Sequence, residues 1–347
     1  MRPIVLSICA VAAVALLAPA GASAQGCVCQ RQGGPLFGGV SPYMNPGDWS
    51  LQLFHRGYRS VEHFRGTAPL TELDANGPRN VQHYTTVEAQ YGLSRRWNLS
   101  ASVPLHFNSF DVRRPPPGGG ERVWVPIGAS GLGDVALRAR FWALDTDGPS
   151  SGLRNVGISM GVKLPTGKSD RTDDYFGRQV PVDVSIQTGD GTWAGTASLY
   201  AFQSVAPVTL YATGSYLFNP ANTTGTPTFF GSLFDPDNDT QNSAADQFQA
   251  VVGASLDVEP GWPQPTLAYR IEGVPVSDLF GDSDGFRRPG LIGFIEPGLT
   301  LAVGRQLFSV NVAIRTHVNI KDSPTSTRVE DATVPKYVVT AGYSVRF

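Results

Sequence analysis

The chain carries little charge. Charged residues make up 16% of its 347 positions and nearly cancel, to a net −2, where a soluble protein averages about a quarter. No basic patch stands out, which excludes nucleic acid as an expected partner. Cysteine is equally scarce, with 3 in all. Cys9 falls in the first apolar stretch, and Cys27 and Cys29 form a Cys-Val-Cys pair. The rest of the chain has none, so no disulfide framework holds it together. The pair reads as a local disulfide in an oxidising compartment or as a lipid-attachment site. Ala24-Gln25-Gly26, before Cys27, lacks the aliphatic residue that lipid attachment expects. Two thiols alone do not make a metal centre. After the N-terminus no stretch approaches the roughly twenty apolar residues that a helical membrane span requires.

What is present at the two ends is more telling. Met1-Arg2-Pro3 gives a short positive start, Ile4 to Leu17 is apolar, and Ala22-Ser23-Ala24 is a small-x-small cleavage site. Together they predict a signal peptide over 1–24, with the mature chain starting at Gln25. At the other end Tyr337, Val339, Ala341, Tyr343, Val345 and Phe347 alternate with Val338, Thr340, Gly342, Ser344 and Arg346. A strand turns successive side chains to opposite faces, so this segment has one greasy and one largely polar or small-residue side. It stops on Phe347, as the assembly strand of a Gram-negative outer-membrane barrel does.

Eleven further alternating segments precede it, giving twelve. The clearest are Trp97–Leu105, Gly133–Ala143, the stretch around Val156 to Leu164, and Phe308–Val318. The faces of Trp193–Gln203 are the least distinct. Short connections (Leu93–Arg96, Ser204–Pro207, Glu259–Gln264, Gly304–Gln306) and the moderate Leu144–Arg154 alternate with long polar ones. The long ones are Arg59–Asn80, Phe107–Leu132, Pro165–Thr192, Asn219–Gln247, Val274–Gly290 and Asn319–Lys336. Short periplasmic turns, long outer loops and an even strand number describe an outer-membrane barrel, and only a closed sheet satisfies its backbone in hydrocarbon with strands. The expected fold is therefore all-β: a transmembrane antiparallel up-and-down barrel of about 12 strands over 48–347. Trp49, Tyr91, Trp97, Trp142, Tyr216, Tyr337 and Tyr343 are candidates for its aromatic girdles. The alternative is a secreted β-sandwich, whose strands also alternate.

The polar face carries Asp134, Arg138, Arg140, Lys163, Arg270, Glu272, Arg315 and His317. Charges this frequent on membrane strands must face water or one another, so these eight are the expected lumen lining. They read as salt bridges that stiffen the wall, or as a constriction that selects solutes by charge. Twelve strands give a bore between filled eight-stranded barrels and open sixteen-stranded porins. The segment 25–47, on the periplasmic side, is long enough to enter it as a plug.

Gly131-Leu132-Gly133-Asp134-Val135-Ala136-Leu137, then Gly161-Val162-Lys163-Leu164-Pro165-Thr166-Gly167, then Gly189-Asp190-Gly191-Thr192-Trp193 together resemble the outer-membrane transporter-like family named for the meta-pathway of phenol degradation. The resemblance covers roughly Ser130 to Gln203 and the C-terminal strand, with Gly133, Asp134, Lys163, Pro165, Thr166 and Gly167 as motif positions. It implies an outer-membrane barrel with a role in uptake of aromatic or hydrophobic compounds. Physically, Pro165-Thr166-Gly167 terminates a strand and starts an outer loop.

Other chemistry is weakly supported. Asp235-Pro236-Asp237-Asn238-Asp239 and Asp282-Ser283-Asp284-Gly285 contain spaced oxygen ligands of the kind calcium uses, but neither has the distal Glu of an EF-hand loop. Outer-membrane phospholipase A, also a twelve-stranded barrel, sets a Ser two residues after its His. None of His55, His63, His83, His106 and His317 has that neighbour. The sequence thus points to a non-enzymatic channel for small molecules, without cofactor or metal. Its partners are the outer-membrane bilayer, its solutes and the barrel-assembly machinery. A structural or surface-binding barrel with a blocked lumen shares every one of these features.

Overall fold

The computed structural model describes residues 42–148, 151–234, 240–323 and 331–347. The expected signal peptide, Cys27, Cys29 and the Asp235–Asp239 cluster lie outside the described residues. Twelve long strands follow one another: β1 (Trp49–Arg65), β2 (Arg79–Gly92), β3 (Trp97–Arg114), β4 (Ala136–Trp142), β5 (Arg154–Lys163) and β6 (Ala194–Val205). Then come β7 (Val208–Phe218), β8 (Gln247–Leu256), β9 (Gln264–Val274), β10 (Gly290–Val303), β11 (Gln306–Ile320) and β12 (Ala332–Arg346). Each is antiparallel to its sequence neighbour, and β12 returns to β1 through a register running from Ser50↔Arg346 to Phe64↔Ala332. The sheet is closed and leaves no edge, as hydrocarbon demands.

The burial pattern is inverted relative to a soluble β-protein. Leu51, Leu53, Leu99, Leu137, Ile158, Met160, Val162, Leu267, Leu299, Val310 and Val339 are exposed on the outer face. The inward face buries Gln82, Thr86, Gln90, Ser102, Ser159, Thr196, Gln249, Arg270 and Asn311. An apolar belt outside and polar side chains inside are the surface pattern of a membrane barrel. Cross-strand aromatic pairs mark the lower rim: Trp49–Tyr91 with ring centroids 4.8 Å apart, Trp97–Phe141 at 4.9 Å and Phe308–Tyr343 at 5.1 Å.

Three expectations need correction. β4 was expected to run unbroken from Gly133. It begins at Ala136, and a separate piece, Gly128–Leu132, continues the wall against β3 above it. Between them β4 takes one residue more than β3, a bulge that re-aims Asp134. Trp142, expected in a girdle, points inward and is 0% exposed. Its parity is that of Arg138 and Arg140, and the facing Gly157 leaves room: a Cβ there would lie 2.8 Å from the indole. His317, expected in the lumen, is on the outer face. A bulge in β11 between Arg315 (opposite Phe294) and His317 (opposite Gly293) reverses the alternation, so Val318 is buried instead.

The outer loops form an organised cap. Phe110, Val112, Val125, Ile127, Val180, Val182, Ile186 and Phe229 make one buried apolar cluster. It joins the upper end of β3, the hairpin of Thr172–Tyr175 with Arg178–Pro181, and a short helix, Phe229–Phe234.

Candidate functional site in the barrel lumen

The inward charges are paired, not scattered. Arg56 donates to Glu272 at 2.6 Å, Arg270 reaches Glu272 at 3.0 Å, and the same Arg270 reaches Glu296 at 2.9 Å. This file of alternating sign crosses β1, β9 and β10 with side chains at most 15% exposed. Arg138 pairs with Glu88 at 3.5 Å and donates to Ser102 Oγ at 3.1 Å. Arg140 lies over the Tyr200 ring at 4.3 Å. Arg315 pairs with Glu62 and donates to the Val334 carbonyl at 3.2 Å. Seven of the eight expected lining residues therefore face inward, and His317 does not. Their partners Arg56, Glu62, Glu88 and Glu296 were not singled out in the sequence, although Glu88 shares the wet-face parity of its predicted strand.

The three glycine-rich stretches converge on one point of the upper wall. Lys163 Nζ donates to Asp134 Oδ2 at 2.9 Å, to the Thr192 carbonyl at 2.8 Å, and to Asp190. Asp134 also accepts from Gly167 N at 2.9 Å and Asp190 N at 3.3 Å. The bulge below Leu132 leaves backbone groups without a ladder partner, and Thr166 takes them: Val135 N donates to its Oγ1 at 2.9 Å, and that hydroxyl donates to the Gly133 carbonyl at 2.8 Å. Pro165 stands two residues past Lys163, where the strand ends. A Cβ on Gly167 would sit 2.7 Å from the Thr188 carbonyl and 2.8 Å from Gly189 Cα, so the chains touch where glycine stands.

This knot anchors a loop that turns into the barrel. Asp183, Ser185, Ile186 and Gln187, between β5 and β6, are buried. Asn80 Nδ2 donates to Ser185 Oγ at 2.7 Å, Gln82 Nε2 to the Ser185 carbonyl at 2.8 Å, and Asn108 Nδ2 to the Ile186 carbonyl at 3.3 Å. Arg288 holds Asp183. The loop was expected to be polar and external. The alternation of Val180, Val182, Val184 and Ile186 was the signal in the sequence that it has something to bury against.

The lower mouth is closed by aromatics and by the residues before β1. Tyr43 packs edge-on against Trp142 with centroids 5.4 Å apart, within a cluster that includes Tyr200, Phe202 and Tyr211. Tyr43 Oη donates to the Ser151 carbonyl at 2.6 Å and accepts from Asn155 Nδ2 at 2.8 Å, and Arg346 donates to the Tyr43 carbonyl at 2.9 Å. Burial raises the Tyr43 hydroxyl above its ordinary value, so it stays a neutral donor. Met44 beside it is buried.

Between these two obstructions lie two cavities in series. The upper, about 150 Å³, lies beneath the inserted loop and is lined by His106, Asp134, Lys163, Val184, Thr188 and Leu217 among others. The lower, about 110 Å³, meets it at Thr86 and Arg138 and reaches Tyr200, Tyr211, Arg270 and Glu296. A third, about 280 Å³, lies above the inserted loop, between Asn80, Ser185, Phe230, Arg288 and Asp331. Among the described residues no group of three or more His, Cys, Asp or Glu is placed to hold a metal ion.

No family model matches the chain. Among solved structures, an outer membrane channel from Pseudomonas putida F1 aligns over 92% of this chain and 100% of its own, at 11% identity and a TM-score of 0.61. The translocator domain of a Neisseria meningitidis autotransporter aligns over 88% and 91%, at 10% identity and a TM-score of 0.43. A Pseudomonas aeruginosa FadL homologue aligns over 94% and 98%, at 11% identity and a TM-score of 0.40. The first of these shows that the chain shares the closed fold of an outer-membrane β-barrel over nearly its whole length.

Proposed function

We propose that this chain is an outer-membrane channel through which small molecules, hydrophobic or aromatic in class, pass by diffusion. We further propose that it belongs with the transporter-like barrels named for the meta-pathway of phenol degradation. The observation that carries the reading is the series of cavities along the barrel axis, two of them contiguous and the third set apart by the inserted loop and not by a packed core. A cavity of about 150 Å³ is large enough for a benzene ring. The motif residues support the family reading by what they do: Gly133, Asp134, Lys163, Thr166 and Gly167 build the anchor of the inserted loop. The paired lumen charges support a path that is electrically near neutral, which suits an uncharged or amphipathic solute better than a free ion.

The closure at both ends favours a second reading, a barrel with a blocked lumen whose loops do the work. Conductance in a planar bilayer separates the two, using the refolded chain with and without residues 25–47. Current in the intact protein supports an open pore, and current only after truncation supports a plugged channel. If both folded forms stay silent and neither admits toluene or phenol to loaded vesicles, the channel reading fails.

A further inference from the structure

The cavity above the inserted loop has a chemistry of its own. Its lining includes three arginines, Arg114, Arg122 and Arg288, and one described carboxylate, Asp331. Phe110 and Phe230 supply aromatic wall, with the Arg114 guanidinium 5.8 Å from the Phe230 ring centroid. Its floor is Ser185 of the inserted loop. A positive, aromatic-walled chamber of about 280 Å³ is matched to a ring bearing a carboxylate: guanidinium groups bind that anion through forked N–H donors, and the rings take the apolar end.

Arg288 has a second attachment. Its Nη1 lies 3.2 Å from both carboxylate oxygens of Asp183, which belongs to the inserted loop. Charge-assisted bonds of this type run about 2.7–2.9 Å when tight, so this is a loose pair. Arg288 thus lines the chamber while holding the loop that closes its floor.

We infer that the chamber is a binding site for an aromatic monocarboxylate, and that the ligand's carboxylate takes Arg288 in exchange for Asp183. Binding then removes a tether from the inserted loop, so the solute that arrives is the one that loosens the barrier. The inference rests on the channel reading and narrows its solute from aromatic compounds in general to aromatic acids. Because Asp183 and the ligand compete for one guanidinium, ligand affinity and loop attachment are linked with opposite sign.

The test is a fluorine NMR titration of the full refolded chain with 4-fluorobenzoate, 4-fluorobenzyl alcohol and fluoroacetate. Fluorobenzoate should bind at least roughly tenfold more tightly than the alcohol or fluoroacetate, a typical size for such coupling. Arg288→Gln should abolish the preference, and Asp183→Asn, which removes the competing carboxylate, should tighten fluorobenzoate several-fold. Arg114→Gln with Arg122→Gln gives a second variant in case Arg288→Gln does not fold. Equal binding of acid and alcohol, or weaker or unchanged binding in Asp183→Asn, overturns the inference. Vesicle uptake of the same acid and alcohol keeps the two failures apart. Uptake of both without preference in the titration sinks the aromatic-acid site and leaves the channel. Preference in the titration without uptake of either sinks the channel and leaves the site.

Discussion

Replacing Lys163 with Met removes the cation from a site that holds two carboxylates. The ammonium is 10% exposed and satisfies Asp134, Asp190 and the Thr192 carbonyl. With water largely excluded, loss of one partner leaves charge buried without compensation, which costs about 3–5 kcal/mol. The companion variant changes Lys163→Met, Asp134→Asn and Asp190→Asn together. It retains side-chain acceptors for Gly167 N and Thr192 N and removes the unpaired charges, so it should lose only about 1–2 kcal/mol, on the scale of one or two neutral hydrogen bonds. Equilibrium unfolding in urea from lipid vesicles, followed by tryptophan fluorescence, measures both. A single variant as stable as the triple variant would refute the claim that Lys163 is there to compensate two buried carboxylates. Asp190 also closes the upper end of the inserted loop, so the single variant should raise single-channel conductance while the triple variant raises it less.

Gly167→Ala should destabilise the barrel by about 1–3 kcal/mol, the usual cost of overpacking, because the new methyl meets Thr188 and Gly189 backbone; the same urea titration reads it. Trp142→Ala opens the lower aromatic cluster and should increase conductance even with residues 25–47 in place; unchanged current would move the lower barrier elsewhere. Cysteines at positions 138 and 315 should react with water-soluble reagents and one at 317 with lipid-soluble reagents, since the bulge turns His317 outward. In the outer loops, burial raises the Asp246 carboxyl above its ordinary value. Its folded pKa then exceeds its unfolded one, so it stabilises the loops below the ordinary carboxylate range and that contribution is lost as pH rises through the raised value. Hydrogen exchange at Asn219 and Leu279, whose amides Asp246 accepts, should therefore be slower at pH 4 than at pH 7 after correction for intrinsic rate.

The strand count, the closure and the loop alternation were legible because each is written many times in the chain. Period-two alternation over twelve strands survives one error. The two bulges were not legible, because each is a single residue whose cost is repaid at a distance: Thr166 takes up the backbone left by the break above β4, and Gly131 and Gly133 before Asp134, of a kind that often marks a bulge, do not by themselves say where the extra residue falls. The same slip in β11 moved His317 and Val318 to the wrong faces. Salt bridges between Arg56 and Glu272 or Arg315 and Glu62 join strands far apart in sequence, so parity gives the face of each partner and not the pairing. The motif glycines were visible as a pattern, but their reason, the contact of Gly167 with Gly189, exists only once three strands are side by side.

The two attachments of the inserted loop differ in kind, and the difference says how it should move. Its middle is held by the amide donors Asn80, Gln82 and Asn108, by the Arg288–Asp183 pair, and by Val182 and Ile186 in the apolar cap. Its upper end is held by the Lys163 knot, whose disruption costs about 3–5 kcal/mol. A ligand that brings its own carboxylate and apolar ring can take the place of contacts in the first set, and it offers no replacement for the cation that the second set needs. Opening should therefore swing residues 182–187 out of the lumen while Gly189 and Asp190 stay against Asp134 and Gly167. A disulfide and hydrogen exchange test that asymmetry. A cross-link between introduced cysteines at 80 and 185 should suppress conductance. The Gly167 amide, which donates to Asp134, and the Gly189 amide, which donates to the Lys168 carbonyl, should keep their protection when the solute is added. Loss of protection at both would mean that the whole loop must leave as one body.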